Sequence, residues 1–159
     1  MRADADVYAL ETLMRGCPPG REASALVPML LYAQDEAGAL TSEVVEEIAR
    51  RLGITPLQAD EVISYYSMLR RQPAGRHHLQ ICTNVSCMLR GGQELYEHAS
   101  KRLGIRNREV TADGEFSLEE AECLGACSWA PAMLVNYDHH HDMTPEMLQR
   151  LIDSLEKKH

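Results

Sequence analysis

Four of the five cysteines stand in two tight pairs, Cys82 with Cys87 and Cys123 with Cys127, in the pattern C-x4-C-x35-C-x3-C. A C-x2-C knuckle folds around one tetrahedral ion, whereas a binuclear cluster spreads four thiolate bonds over two irons and needs a wider reach in each pair. The longer spacers supply that reach, and the pattern reads as the cradle of a [2Fe-2S] cluster. The competing readings are a structural zinc knuckle, unliganded buried thiols and a dithiol enzyme. The last requires a C-x-x-C at a helix N-terminus, and the chain has none. Disulfides fit poorly, because five is an awkward number to pair and clustered cysteines in a reducing compartment bind metal or do redox work. Cys17 stands alone in Gly-Cys-Pro-Pro-Gly and is expected to be an incidental loop thiol.

The residues around the pairs suit the same task. Thr83, Asn84 and Ser86 are small and polar, so the loop's N–H groups are expected to point at sulfur. Gly125 and Ala126 let the second loop close tightly. Trp129 and Pro131 are expected to wall the site from water, and so to tune a potential through the local dielectric. His139, His140 and His141 are adjacent and point in different directions, so they read as an exposed polar turn. His77 and His78 alternate on a strand, one at the surface and one packed. Glu43, Glu46, Glu47, Arg50 and Arg51 form a solvated helix face.

The elements that must position these residues change character midway. Residues 22–37 place Leu26, Met29, Leu30 and Ala33 on one helical face, with Pro28 bending or delaying the helix and Gly38 ending it. Ser42 is expected to N-cap a helix striped by Val45, Ile48, Ala49 and Leu52, with Gly53 after it. Thr55-Pro56-Leu57-Gln58 has the capping-box form, and its helix continues through Tyr66 toward Leu69. A helix over 6–15 is also expected. Proline and glycine at 71–75 then mark a domain boundary, giving a helical docking domain over 1–72 and an α/β domain over 73–159.

The second half alternates. Strands are expected at 77–82, 107–111, 115–121 and 132–137, a helix from Gly92 to Leu103, a tight hairpin at Asp113-Gly114, and a last helix from Thr144 and Pro145. The fold class is therefore α+β, a small N-terminal helical domain followed by a thioredoxin-like α/β domain, although element order alone is weak support.

With 159 residues and 45% apolar content there is material for a real core. The net charge of -8 is spread evenly, 11 acids against 7 bases in residues 1–75 and 13 against 9 in the rest, which argues against nucleic acid or anionic lipid as partner. The start MRADADVYAL has neither the basic nor the apolar region of a signal peptide, and a location inside the cell is expected.

These residues resemble the [2Fe-2S] E-type family of small subunits in NADH:quinone oxidoreductase, respiratory complex I. VISYYSML, GRHHLQIC, CMLRGG, ECLGACSWAPAMLVN and MTPEML carry the resemblance, which covers roughly residues 5 to 155. It implies one [2Fe-2S] cluster on Cys82, Cys87, Cys123 and Cys127. It also implies a larger partner subunit bearing FMN, the NADH site and a [4Fe-4S] cluster, and a peripheral place on the cytoplasmic side of the inner membrane. The histidines at 77–78 and 139–141 depart from the family pattern. No G-x-G-x-x-G follows a strand, no P-loop appears, and Gly91-Gly92 is too short to cradle a dinucleotide, so NADH and flavin chemistry belong to the partner. This chain is expected to carry one electron at a time, without NADH oxidation of its own, at the low end of the roughly -700 to +450 mV range of such centres. Small subunits of NAD-linked hydrogenases and formate dehydrogenases share the module and remain alternatives, as does a zinc-binding interaction module.

Overall fold

The computed structural model describes residues 3–157, which divide between Pro73 and Ala74 into two compact units.

The first unit is helical: α1 (Ala3–Arg15), α2 (Leu26–Ala37), α3 (Ser42–Leu52) and α4 (Pro56–Tyr65). Met29, Leu30, Leu40, Val45, Ile48 and Ala59 make its core, with Leu10 from α1 among them. Pro28 has the delaying effect expected of it, because residues Glu22–Ala25 form a 3-10 turn and the α-helix starts only at Leu26. The N-cap of α3 is Thr41 rather than Ser42. The Thr41 hydroxyl accepts the Val44 N–H, and Ser42 is already helical. At Thr55 the capping box is complete, with the Gln58 N–H donating to Thr55 Oγ1 and the Thr55 N–H donating to Gln58 Oε1. The helix stops at Tyr65, one turn short of Leu69. Buried Gln34 explains how the chain continues beyond it. The Gln34 side chain donates to the Met68 carbonyl and accepts the Arg70 N–H, pinning the exit segment to α2.

The second unit is a five-stranded sheet in the order β2-β3-β1-β4-β5. Its strands are β1 (His77–Cys82), β2 (Glu109–Val110), β3 (Phe116–Ala121), β4 (Met133–Val135) and β5 (Asp138–His140). Three helices accompany it: α5 (Val85–Leu89), α6 (Gly92–Leu103) and α7 (Pro145–Glu156). β1 and β3 run parallel, and the other pairs are antiparallel. Leu79, Ile81, Phe116, Leu118 and Met133 share one face and bury against Leu95 and Ala99 of α6 and Leu148 and Ile152 of α7. Two expectations change here. Strand β2 keeps only two residues of 107–111, because Arg108 takes a positive φ and Asn107 turns its side chain to the Glu120 N–H. Residues 111–115 then form a longer turn than the tight hairpin expected, held by Thr111 and Asp113 side chains. Segment 132–137 ends at Val135, where Asn136 turns with φ 55° and leads into β5.

The opposite sheet face is polar. His78 Nδ1 lies 2.8 Å from Ser117 Oγ and Nε2 lies 3.1 Å from Glu119 Oε2, while the Gln80 amide donates to the same carboxylate oxygen at 2.9 Å. Burial pushes the Glu119 carboxyl up, but the hydrogen bonds with His78 and Gln80 outweigh it and hold the group below its ordinary value of 4.5. A carboxylate whose pKa is lower in the folded than in the unfolded state adds stability that is complete above the unfolded value. That stability is lost as pH falls through the folded value. The unfolding free-energy difference between wild type and Glu119→Gln should therefore favour wild type most near neutral pH and shrink below about pH 4.5. Urea denaturation of both proteins across that range is the check, and a difference that stays flat with pH would contradict it.

Candidate metal centre

Parallel pairing of β1 with β3 is what assembles the site. Cys82 closes β1 opposite Ala121, the last residue of β3, so the chain leaves two adjacent strands at the same sheet end. The Thr83 N–H donates to the Ala121 carbonyl and the Cys82 N–H to the Ala132 carbonyl, each at 3.1 Å, so the segment entering β4 arrives at the same place.

The first cysteine segment is not the open loop expected. Asn84 caps the short helix α5, its side chain accepting the Val85 N–H at 2.7 Å, and Cys87 lies inside that helix. The helix turns Cys87 inward, to 2% exposure, and leaves Val85, Met88 and Leu89 facing out. Gly91 then takes φ 91° and opens α6 at Gly92. A Cβ at Gly92 would stand 2.6 Å from the Cys82 carbonyl oxygen and 2.9 Å from the Cys87 carbonyl group, so only glycine lets α6 start this close to both residues.

In the second segment Cys123 and Cys127 are exposed, and Cys127 begins a 3-10 turn to Trp129. Gly125, at φ 72°, donates its N–H toward Cys123 Sγ at 3.4 Å. Cys82 and Cys87 pack with Ala126, Ala130 and Ala132. Burial pushes the Cys87 thiol up to about 11. The Ala132 backbone works against that shift, and the Cys82 and Cys127 sulfurs add to it. The Cys87 sulfur thus stands close enough to those of Cys82 and Cys127 to feel their charge. Cys123 is joined to them through its neighbour, since Cys82 Sγ lies 4.0 Å from the Glu122 carbonyl oxygen.

Trp129 corrects an expectation. Pro131 is buried, but Trp129 is 57% exposed and leans on His141 instead of walling the site, because the 3-10 turn that carries it buries none of its residues. Cys17 is half-buried against the helical core of the first unit. Sequence reasoning missed α5, although Asn84 ahead of a proline-free Val-Ser-Cys-Met-Leu was a usable capping signal.

A sheet covered by helices on one face, with two cysteine segments leaving the ends of adjacent parallel strands, defines an α/β thiolate-site module of the ferredoxin kind. The chain belongs to the thioredoxin-like [2Fe-2S] ferredoxin family, whose pattern matches residues 10–156. Among curated relatives, an E-type component of the NADH-quinone oxidoreductase of Rhizobium meliloti (strain 1021) is 44% identical over 82% of this chain and 78% of its own length. The E-type component of the NADH-quinone oxidoreductase of Rickettsia bellii (strain RML369-C) is 39% identical over 91% and 87%. Among solved structures, the NAD+-reducing [NiFe]-hydrogenase in the H2-reduced state superposes with a TM-score of 0.71 at 22% identity. That match covers 83% of this chain and about a quarter of the hydrogenase chain, 23%, and shows the fold alone.

The family's cofactor is one [2Fe-2S] cluster, and the residues present fit it. Buried Cys87, whose thiol is pushed up beside the Cys82 and Cys127 sulfurs, needs cations near it to be carried as a thiolate. The clearance at Gly92 keeps the Cys82 and Cys87 backbones together. Among the described residues no three His, Cys, Asp or Glu side chains gather as a single-ion site. Two irons make a different demand, a pair of thiolates for each.

Gly92→Ala should force α6 away from both cysteines. We expect a loss of roughly 1–3 kcal/mol in unfolding free energy, the usual cost of overpacking, together with a weakened visible absorption per chain. Denaturation and absorbance measured together check this, and unchanged values in both would contradict the close-approach argument.

Proposed function

We propose that this chain is the electron-transfer subunit of an NADH:quinone oxidoreductase, placed beside the FMN of an NADH-oxidising partner subunit. The observation that carries the reading is a sheet-end site with four cysteines in a chain 39–44% identical to E-type relatives over most of both lengths. Cys82, Cys87, Cys123 and Cys127 would hold the two irons, two thiolates to each. Bound there, the cluster supplies storage and transfer of single electrons, which a hydride donor yields only through a flavin.

The chain's own residues contribute surroundings and access. Ala126, Ala130 and Ala132 close around buried Cys82 and Cys87, excluding water and keeping the local dielectric low. The Gly125 N–H faces the Cys123 sulfur and favours its negative charge. Outside, α5 packs beside the Cys127–Trp129 turn, so exposed Val85, Met88, Leu89 and Trp129 make an apolar border to the site. Such a border suits a docked partner, and it leaves a short path between cysteines and flavin.

Residues 1–72 serve as a docking domain in this reading. Its support is that their core is complete without a ligand set, while Leu57, Tyr65 and Met68 stay exposed. The partner carries FMN, the NADH site and a [4Fe-4S] cluster, and the assembly sits peripherally on the cytoplasmic side of the inner membrane. No helix among the described residues is long and apolar enough to cross a membrane.

Serine replacement tests the ligand set. Replacing any one of Cys82, Cys87, Cys123 or Cys127 should abolish or strongly diminish the visible absorption, while Cys17→Ser should leave it unchanged. Bleaching by Cys17→Ser as complete as that by Cys123→Ser would show the set to be wrong.

A second experiment addresses the partner. The chain alone should not oxidise NADH with an artificial acceptor. A Met88→Asp, Leu89→Asp double variant should bind the flavin-bearing partner at least about tenfold more weakly, a loss of about 1.4 kcal/mol, with its spectrum intact. Turnover by the flavin-free chain, or unaltered binding by the double variant, would count against the proposal.

A further inference from the structure

The histidine run at 139–141 has no part in the reading above. Alternation along a strand keeps three consecutive side chains from sharing one ion. It also brings the first and third to one side, and the structure shows this pair meeting. The rings of His139 and His141 stack with centroids 5.6 Å apart and planes 23° apart. β5 is the outermost strand of the sheet, His141 follows it directly, and both rings are exposed. His140, opposite Met133 in the register, belongs to the other face. Asp138 and Asp142 flank the run, and Asp142 pairs with the Arg90 guanidinium at 3.7 Å.

We infer that His139 and His141 form a two-imidazole chelate for a divalent transition metal of the Ni2+, Cu2+ or Zn2+ class, with water completing the coordination. Imidazole nitrogen is a preferred donor for these ions. The two exposed rings reach a common ion by side-chain rotation, a motion that is fast and leaves the backbone unchanged. The site is separate from the cysteines in ligand type, since soft thiolates and borderline imidazoles sort different ions.

The chain carries its own reporter. Its single tryptophan, Trp129, lies 5.6 Å from the His141 ring, with planes 41° apart. An ion held by His139 and His141 therefore sits beside the indole, at the border of the apolar patch. Any effect on partner docking rests on the electron-transfer reading, whereas the binding itself does not.

The test is titration of the full, untagged chain, cluster in place, with Ni2+, followed by calorimetry and by Trp129 fluorescence. Wild type and His140→Asn should bind Ni2+ with the same affinity and quench alike. His139→Asn and His141→Asn should each weaken binding at least tenfold, and the visible absorption of the cluster should stay constant throughout. Equal loss in His140→Asn would overturn the pairing. Unchanged binding in a His139→Asn, His141→Asn double variant would place the ion elsewhere, as would loss of the cluster's absorption during the titration.

Discussion

Everything at the site depends on one strand pairing. β1 and β3 are parallel neighbours in register from His77 with Phe116 to Cys82 with Ala121, so both cysteine segments emerge from one end of the sheet. Antiparallel pairing would send them to opposite ends, a strand length of about 20 Å apart at roughly 3.3 Å per residue. A parallel pair needs a crossover, and α6 supplies it while burying Leu95 and Ala99 against Leu79, Ile81 and Leu118. The helix that makes the topology possible is also the one whose first residue, Gly92, touches the Cys82 and Cys87 backbones. Core packing and site geometry are thus the same constraint seen from two sides.

The polar face of the sheet holds the same strands in register from within. His78, Gln80, Ser117 and Glu119 satisfy one another across the β1–β3 pair. A one-residue slip would put these groups into the apolar face and leave them without partners, at a cost of roughly 1–3 kcal/mol for each unsatisfied group. Asn136 extends the network to β4: its side chain accepts the His78 N–H, and its own N–H donates to the His78 carbonyl. The register that places Cys82 opposite Ala121 is therefore guarded on both faces, by burial on one and by hydrogen bonding on the other.

Much of this was legible in the residues, and the failures have physical causes. Helices with a strong apolar stripe and a glycine stop, such as 92–103, are read directly because period and terminator agree. The cap of α3 was misplaced by one residue because Thr41 and Ser42 offer the same hydroxyl, and only backbone geometry chooses between them. α5 is one turn and a half long, too short for periodicity to show, so the segment read as a loop. β5 was invisible for a similar reason: three polar residues pair with β4 through their backbone and carry no hydrophobic alternation. The cysteine pattern itself was plain. The apolar border around it was not, since Val85, Met88 and Leu89 look like core residues until α5 turns Cys87 inward and leaves them outside.

The account rests on the proposal that the four cysteines, whose segments the β1–β3 pair brings to one sheet end, hold two irons as thiolates. The most direct measurement is the iron, acid-labile sulfide and zinc content of the intact chain purified without oxygen. Two irons and two sulfides per chain, the composition of the family's cluster, with negligible zinc, is the result this account predicts. Stoichiometric zinc, or iron without sulfide, would contradict it.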